Sequence, residues 1–382
     1  MYYLTEIDPN YTIKGSRDPL GFQVIWQTAG RKLIPHLSSV STNINDFQIL
    51  CLAYALKKEL KIDNKDFEPF FIRFEQMMAY TRFKANPKDG FNGVDKVKKT
   101  MSPQLPFSVR ISTTVADQIM SNQKAYGIWG KYIRPFTDMK IVESSEFQNI
   151  FLPRINNNQS FLHHASTLSR KKESQLSFIE TEKLEDWSIL LKKPSTQEKK
   201  MFVTNLLNDT CGTELLPLID ANPDCRDLKF YQLMDILYNS SNNSNFKAII
   251  KFIENTERII SPLNRIFRYL QTKSFWTKKE IEDNQYITKW RSSPNTSGFD
   301  EGTSTLASLL SLNNFELVKG LIKRNEEVAS KRHSASWMHL TEKGIEVNHF
   351  EGSFFEKDYN PKTDNDFNYF MSTFISLHKQ LN

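Results

Sequence analysis

Apolar positions recur at three- and four-residue spacing along most of this chain, the mark of amphipathic helices packed on a shared core. Residues 45–60, NDFQILCLAYALKKEL, place Phe47, Leu50, Cys51, Tyr54 and Ala55 on one face. Residues 66–84 repeat the pattern with Phe70, Phe71, Phe74, Met77, Met78 and Tyr80, a stripe read first as core. Before them, GSRDPLGFQVIWQTAGRKLIPHL predicts a helix with Asp18 as N-cap and Pro19 in its first turn. Leu20, Val24 and Ile25 would face inward, and Gly30 and Pro35 would end it. Arg17, Arg31 and Lys32 mark its ends, the latter two complementing the helix dipole. Residues 2–14 suggest a short strand broken at Asp8-Pro9-Asn10.

The texture changes between residues 82 and 142. In RFKANPKDGFNGVDKVKKT, Arg82, Lys84, Lys88, Lys96, Lys98 and Lys99 oppose only Asp89 and Asp95, and Gly90 and Gly93 bracket Phe91 in a pliable loop. Ser102-Pro103 to Pro106 then separates a short strand at Val109 and Ile111. Ser112 or Thr113 would cap a helix from Thr114, burying Val115, Ile119 and Met120. A second helix follows the joint at Tyr126-Gly127, with Ile128, Trp129, Ile133 and Phe136 as its core. Met139, Ile141 and Val142 read as the strand after it, so residues 109–142 suggest a winged-helix-like unit.

The later chain predicts helices at 174–192, 196–208 and 228–238, a break at NSSNNSN, and a long apolar-periodic segment at 246–273 kinked or split by Pro262. Polar residues 143–200, with NNNQS and the basic run Arg170-Lys171-Lys172, suggest a linker or domain edge, and RSSPNTSGFDEGTS at 291–304 a flexible joint. Helices at 304–311 and 314–330 and strands around Trp337–Leu340 and Ile345–Phe350 follow. The expected class is therefore mainly α: a multi-domain helical protein with a winged-helix-like segment and a few short strands. The expected domains are an α-rich one over 1–145, a helical one over 146–290 and an α+β segment over 291–382.

Composition adds limits. The hydrophobic fraction of 39% suits a globular chain, and the net charge of +6 permits a polyanionic partner without requiring one. Cys51, Cys211 and Cys225 are too few and too scattered for a disulfide framework or zinc site, which suggests a reducing, cytoplasmic setting. MYYLTEIDPN lacks the form of a secretory leader, and no apolar run approaches the roughly 18 residues that cross a bilayer, so no membrane partner is expected.

The candidate chemistry is cationic. Basic side chains with an interleaved aromatic attract a phosphate backbone, which nominates Arg82, Lys84, Lys96, Lys98 and Lys99. On or beside the second helix, Asn122 and Gln123 are placed to reach base edges, and Lys124, Lys131 and Arg134 phosphates. Lys331 and Arg332 form a basic corner beside a Trp, where helix capping is the commoner use. Glu326 and Glu327 before His333 invite an acid–base reading, but no nucleophile, metal cluster, P-loop or Gly-x-Ser-x-Gly elbow accompanies them. The adjacent His163-His164 has no carboxylate or Cys at ligand spacing. Neither metal nor cofactor is called for.

Three stretches, GSRDPLGFQVIWQTAGRKLIP, SNQKAYGIWGKYIRPF and KRNEEVASKRHSASWMHL, resemble a family of bacterial proteins from phage-defence or restriction-like gene clusters. The resemblance spans most of the chain and brings no defined fold or catalytic residues with it. It implies an accessory role beside a helicase or nuclease supplied by another chain. The expected function is thus a non-catalytic DNA-binding or partner-binding subunit; the alternatives are a pure interaction scaffold or a divergent nuclease.

Overall fold

The structure, a computed structural model, describes residues 17–102, 108–176, 178–208, 211–348 and 358–382, apart from the side chains at 178, 179 and 226. The strand expected at 2–14, the Pro103–Pro106 separator and the end of the strand expected to reach Phe350 lie outside these residues. The described chain is mainly helical with two small sheets, and it divides into two compact units. The first draws on Met1–Leu33 and Glu214–Tyr369, the second on Ile34–Thr213 and Phe370–Asn382. The joints expected at 145 and 290 therefore fall inside units. The polar residues that suggested them serve as caps and turns within packed structure.

In the first unit, α1 (Phe22–Leu33) starts later than Pro19 because Gly21, at φ +68°, makes a turn first. Asp18 still caps it, accepting from the backbone N–H of Phe22 at 2.9 Å and of Gln23 at 3.2 Å. The later start rotates the buried face onto Phe22, Ala29 and Leu33 and leaves Val24 66% exposed, opposite to expectation. Gly30 is buried within the helix and does not end it.

The second unit is built on α2 (Ile44–Glu59) and α3 (Asn64–Ala85), close to their predicted bounds. Phe70, Phe71, Phe74, Met77 and Met78 are fully buried, as the stripe implied. Phe70 stacks on Phe74 with ring centres 5.7 Å apart, and Phe74 meets Phe161 edge-on at 6.0 Å. The basic segment is more ordered than a pliable loop, since it contains α4 (Val94–Thr100). After β1 (Val109–Ser112) the expected helix from Thr114 is absent, and residues 113–122 form turns. Four of the five residues from 111 to 115 are β-branched, and the fifth is the hydroxyl-bearing Ser112. Such residues resist the helix and offer hydroxyls to the backbone instead. The Ser112 hydroxyl accepts from the Thr114 N–H at 3.0 Å. Val115 consequently lies 64% exposed.

Next come α5 (Gln123–Tyr126) and α6 (Ile128–Asp138), joined at Gly127 as expected. The strand expected at 139–142 is a 3-10 turn at Ile141–Glu143, entered through Lys140 at φ +51°. The polar stretch read as a linker holds α7 (Ser145–Asn156) and α8 (Gln159–Arg170), with Asn158 capping the latter. β2 (Glu173–Leu176) pairs antiparallel with β1, Val109 opposite Leu176, so β1 lies in a two-stranded sheet with a distant partner. Turns where the first helix should be, and no strand after the second, remove the winged-helix arrangement. α9 (Phe178–Ser188) and α10 (Thr196–Phe202) complete this run, the second opened by a Ser195–Glu198 capping box.

α11 (Gly212–Ala221), α12 (Phe230–Ser240) and α13 (Ser244–Leu270) follow. α13 runs unbroken through Pro262, contrary to the expected split. Proline lacks the N–H that would bond the Arg258 carbonyl. That carbonyl accepts from the Ser292 hydroxyl instead, so the freed acceptor is satisfied. β3 (Phe275–Thr277), α14 (Lys278–Glu282), α15 (Gln285–Lys289), α16 (Glu301–Leu309), α17 (Asn314–Lys331), β4 (Met338–Thr341) and β5 (Gly344–Val347) surround it in a sheet ordered β3-β5-β4 and a core of Ile259, Leu263, Phe267, Trp276, Trp290 and Leu321. α16 begins inside the stretch expected to be a flexible joint.

Residues 358–369 lie against α13 as a strap. The Tyr359 hydroxyl donates to Ser261 at 3.0 Å, and Asp366 accepts from Arg265 Nε at 2.5 Å and Asn264 at 2.7 Å. Fully buried Glu257 accepts from the Asp366 N–H at 2.5 Å, the Phe367 N–H at 3.3 Å and the Tyr369 hydroxyl at 2.7 Å. In the second unit, α18 (Met371–Leu381) ends the chain, and Gln380 accepts from the Ile44 N–H at 2.9 Å. None of the described helices is long and apolar enough to cross a membrane.

Candidate nucleic-acid interface

The nominated residues fall into three groups once partners are assigned. Arg82 and Gln123 point inward, which corrects their nomination. Arg82, near the end of α3, is buried and holds Asp46 through Nη1 at 2.6 Å and Asp89 through Nε at 2.9 Å. Its guanidinium lies 4.8 Å from the centre of the Phe91 ring. Burial works to lower its pKa, but the two carboxylates hold it above its ordinary value, so it stays charged. Burial lifts the Asp46 carboxyl, against the pull of Arg82. This inward Arg82 pins residues 86–91 onto α3.

Fully buried Gln123 donates to the Ile72 carbonyl at 2.8 Å and to Glu75 Oε2 at 2.9 Å, while its Oε1 accepts from Gln76 at 3.1 Å. Its Oε1 also accepts from the Ile119 N–H at 3.3 Å, so its four hydrogen-bonding sites are exhausted on the protein and none is left for a base edge.

Other nominees are exposed or half-buried but engaged. Lys96 donates to the Ala116 carbonyl at 2.8 Å and to the Gln118 carbonyl, tying α4 to the turns at 113–121. Gly93, at φ +88°, lets the loop meet that turn, since a Cβ there would lie 2.8 Å from the Ile119 carbonyl oxygen. Asn122 caps α5, accepting from the Ala125 N–H at 3.1 Å, and Lys131 donates to Asn92 at 2.8 Å. Lys124 pairs with Glu68 at 2.8 Å and Arg134 loosely with Asp138 at 3.7 Å, both on the surface where such pairs contribute little. Arg332 reaches Asp18 Oδ2 at 3.0 Å, supporting the α1 cap, and belongs with exposed Lys331 to the first unit. His333 at φ +51° closes α17, with the Ser334 N–H bonded to the Ala329 carbonyl at 3.0 Å, so the corner is a helix C-cap.

What remains in the second unit is a set of four lysines. Lys84, Lys88, Lys98 and Lys99 are exposed, and none makes an ion pair among the described residues. They lie on the end of α3, the loop and the last turn of α4. Lys98 and Lys99 also complement the C-terminal dipole of α4. Of the two acidic residues in this stretch, Asp89 is drawn to Arg82 and only exposed Asp95 faces solvent uncommitted. The inward turn of Arg82 thus fixes a segment whose four exposed lysines are not neutralised by a carboxylate among the described residues. Lys88 was counted in the basic run but not nominated.

The acid–base expectation shifts. His339, not His333, meets Glu326, with Nδ1 3.4 Å from Oε1. The Ser336 hydroxyl sits 3.2 Å from its Nε2 and 3.4 Å from its Nδ1. Near-equal distances place the oxygen by the ring between both nitrogens rather than along one lone pair. A base that accepts a serine proton needs the second arrangement. Among the described residues no group of three His, Cys, Asp or Glu side chains is placed to hold a metal ion. All three cysteines are buried, and burial pushes the Cys51 thiol well up, away from nucleophilic use.

The residues the sequence reading missed are the carboxylates behind the lysine-bearing segment. Glu75, on α3, accepts from the Ile128 N–H at 2.7 Å as well as from Gln123, and so caps α6. Burial pushes its carboxyl up to about 7. The signal available was Arg73, Glu75 and Gln76 interrupting an apolar run, a polar group inside a buried stripe. Comparison with protein-family models, with curated proteins and with solved structures yields no match to this chain.

Proposed function

We propose that the protein is a non-catalytic, polyanion-binding accessory subunit, whose second unit contacts nucleic acid, DNA first among candidates, through Lys84, Lys88, Lys98 and Lys99. The observation that carries this reading is the absence, among the described residues, of carboxylate partners for these four lysines on a segment locked by Arg82 and Lys96. Phosphate binding releases condensed counterions, so such a face acts without base-specific contacts. Duplex DNA should bind at low salt, with affinity falling steeply as salt rises, in a fluorescence-anisotropy titration. Four phosphate contacts correspond to a log–log slope of about −3.6. No binding at low salt would reject the reading.

The sequence resemblance supports a place beside a helicase or nuclease in a bacterial anti-phage defence assembly, in the cytoplasm. A pure scaffold for such an enzyme is the second reading, and co-purification with the neighbouring gene product at high salt, without nucleic acid, would favour it.

A further inference from the structure

Below the lysine face lies a group of charges with no role in phosphate contact. Asp46 from α2, Glu75 and Arg82 from α3, Phe91 and Asn92 from the loop, Ile119 from the turn and Ile128 from α6 enclose a cavity of about 10 Å³. That is the volume of one water position. Arg82 Nη2 is buried beside it without a hydrogen-bond partner, so the polar inventory is one acceptor short. Glu75 accepts from the Ile128 N–H, at the N-terminus of α6, on Oε1 and from the Gln123 side chain on Oε2, with Gly127 so close that a Cβ would lie 2.6 Å from Oε1.

We propose that Glu75 is a proton-operated latch, whose charge state sets how firmly the α5–α6 hairpin is held on α3. At this corner Glu75 fastens the hairpin to α3 through the Ile128 N–H and Gln123, and Gln123 is bonded to α3 at the Ile72 carbonyl and Gln76 as well. Neutral Glu75 suits the enclosed site. Ionised Glu75 is favoured by the helix dipole and its two donors, but it must forgo water. The charged groups around it are Asp46, which opposes its ionisation, and Arg82, which favours it but is shared with Asp46 and Asp89. Tyr132 from α6 faces Asp46 and not Glu75. Burial outweighs the rest and holds the carboxyl near 7 against an ordinary 4.5.

The sign follows. Protonation favours the latched form, and that advantage is lost as pH rises from the ordinary value through about 7. Opening of the hairpin hydrates the carboxylate, so its equilibrium constant should rise about thirtyfold between about pH 5.5 and 8.5. This deepens the proposed function, because Lys131 joins the hairpin through Asn92 to the loop between α3 and α4 that carries Lys88. The opening itself needs no nucleic acid, so the two readings fail separately.

The test is hydrogen exchange of peptides covering residues 122–138 in the full chain, wild type against Glu75→Gln, at each pH so that intrinsic rates cancel. The ratio of wild-type to variant opening should climb about thirtyfold across that range. A ratio independent of pH overturns the latch. Should the variant fail to fold, carboxyl-carbon NMR of wild-type Glu75 decides: a midpoint near 7 supports the latch, and one near 4.5 overturns it. DNA affinity measured alongside reports on the lysine face alone.

Discussion

Replacing Arg82 by Ala should destabilise the second unit by about 3–5 kcal/mol, the range for breaking one side of a buried ion pair. The loss comes from what is left behind. Asp46, 6% exposed at its side chain, would be left buried without its partner at 2.6 Å, and Asp89 would release the loop. Arg82→Lys should lose less, since an ammonium can keep one carboxylate but not both in the guanidinium's fork. Urea unfolding reads the difference, and DNA affinity measured where the variant is still folded reads the role. A folded Arg82→Ala variant with wild-type stability but weakened DNA binding would place Arg82 on the phosphate and contradict the inward assignment.

The second large effect lies in the first unit, where stability should fall as pH rises toward 8. Glu257 is fully buried on α13, and burial pushes its carboxyl up to about 8 from an ordinary 4.5, against the pull of the Tyr369 hydroxyl and the Asp366 N–H. The folded state therefore binds this proton more tightly than the unfolded one. Its contribution is complete below the ordinary value, declines between the two and is gone above about 8. Across that window the change is on the order of a few kcal/mol. Glu257→Gln should flatten the slope while lowering stability at acidic pH, because an amide replaces one acceptor facing the strap. Hydrogen exchange at the Asp366 and Phe367 amides localises the effect. A slope unchanged in the variant would assign the pH dependence to other groups.

What was legible in the sequence was short-range. The spacing of Phe70, Phe74 and Met78 marks α3, and Asp18 stands four residues from the Phe22 N–H that it caps. Even the run read as a linker carried the signal: Phe147, Phe151 and Ile155 recur every four residues, hidden by the polar residues between them. What was not legible depends on distant partners. β1 pairs with a strand far along the chain, so nothing near 139–142 revealed that the wing would be missing. Arg82 and Lys84 look alike in sequence, yet one is enclosed by Asp46, 36 residues earlier, and the other faces water. Charge is read from composition; whether it is neutralised is settled by folding.

The central claim is that four unneutralised lysines, and not the hairpin's paired cations, hold the polyanion. The direct measurement is the salt dependence of duplex DNA affinity for wild type, for Lys84→Glu/Lys88→Glu/Lys98→Glu/Lys99→Glu and for Lys124→Glu/Arg134→Glu. The account predicts that the first variant loses nearly all binding and salt slope, while the second loses about one unit of slope or less. Binding abolished by the second variant and kept by the first would contradict it.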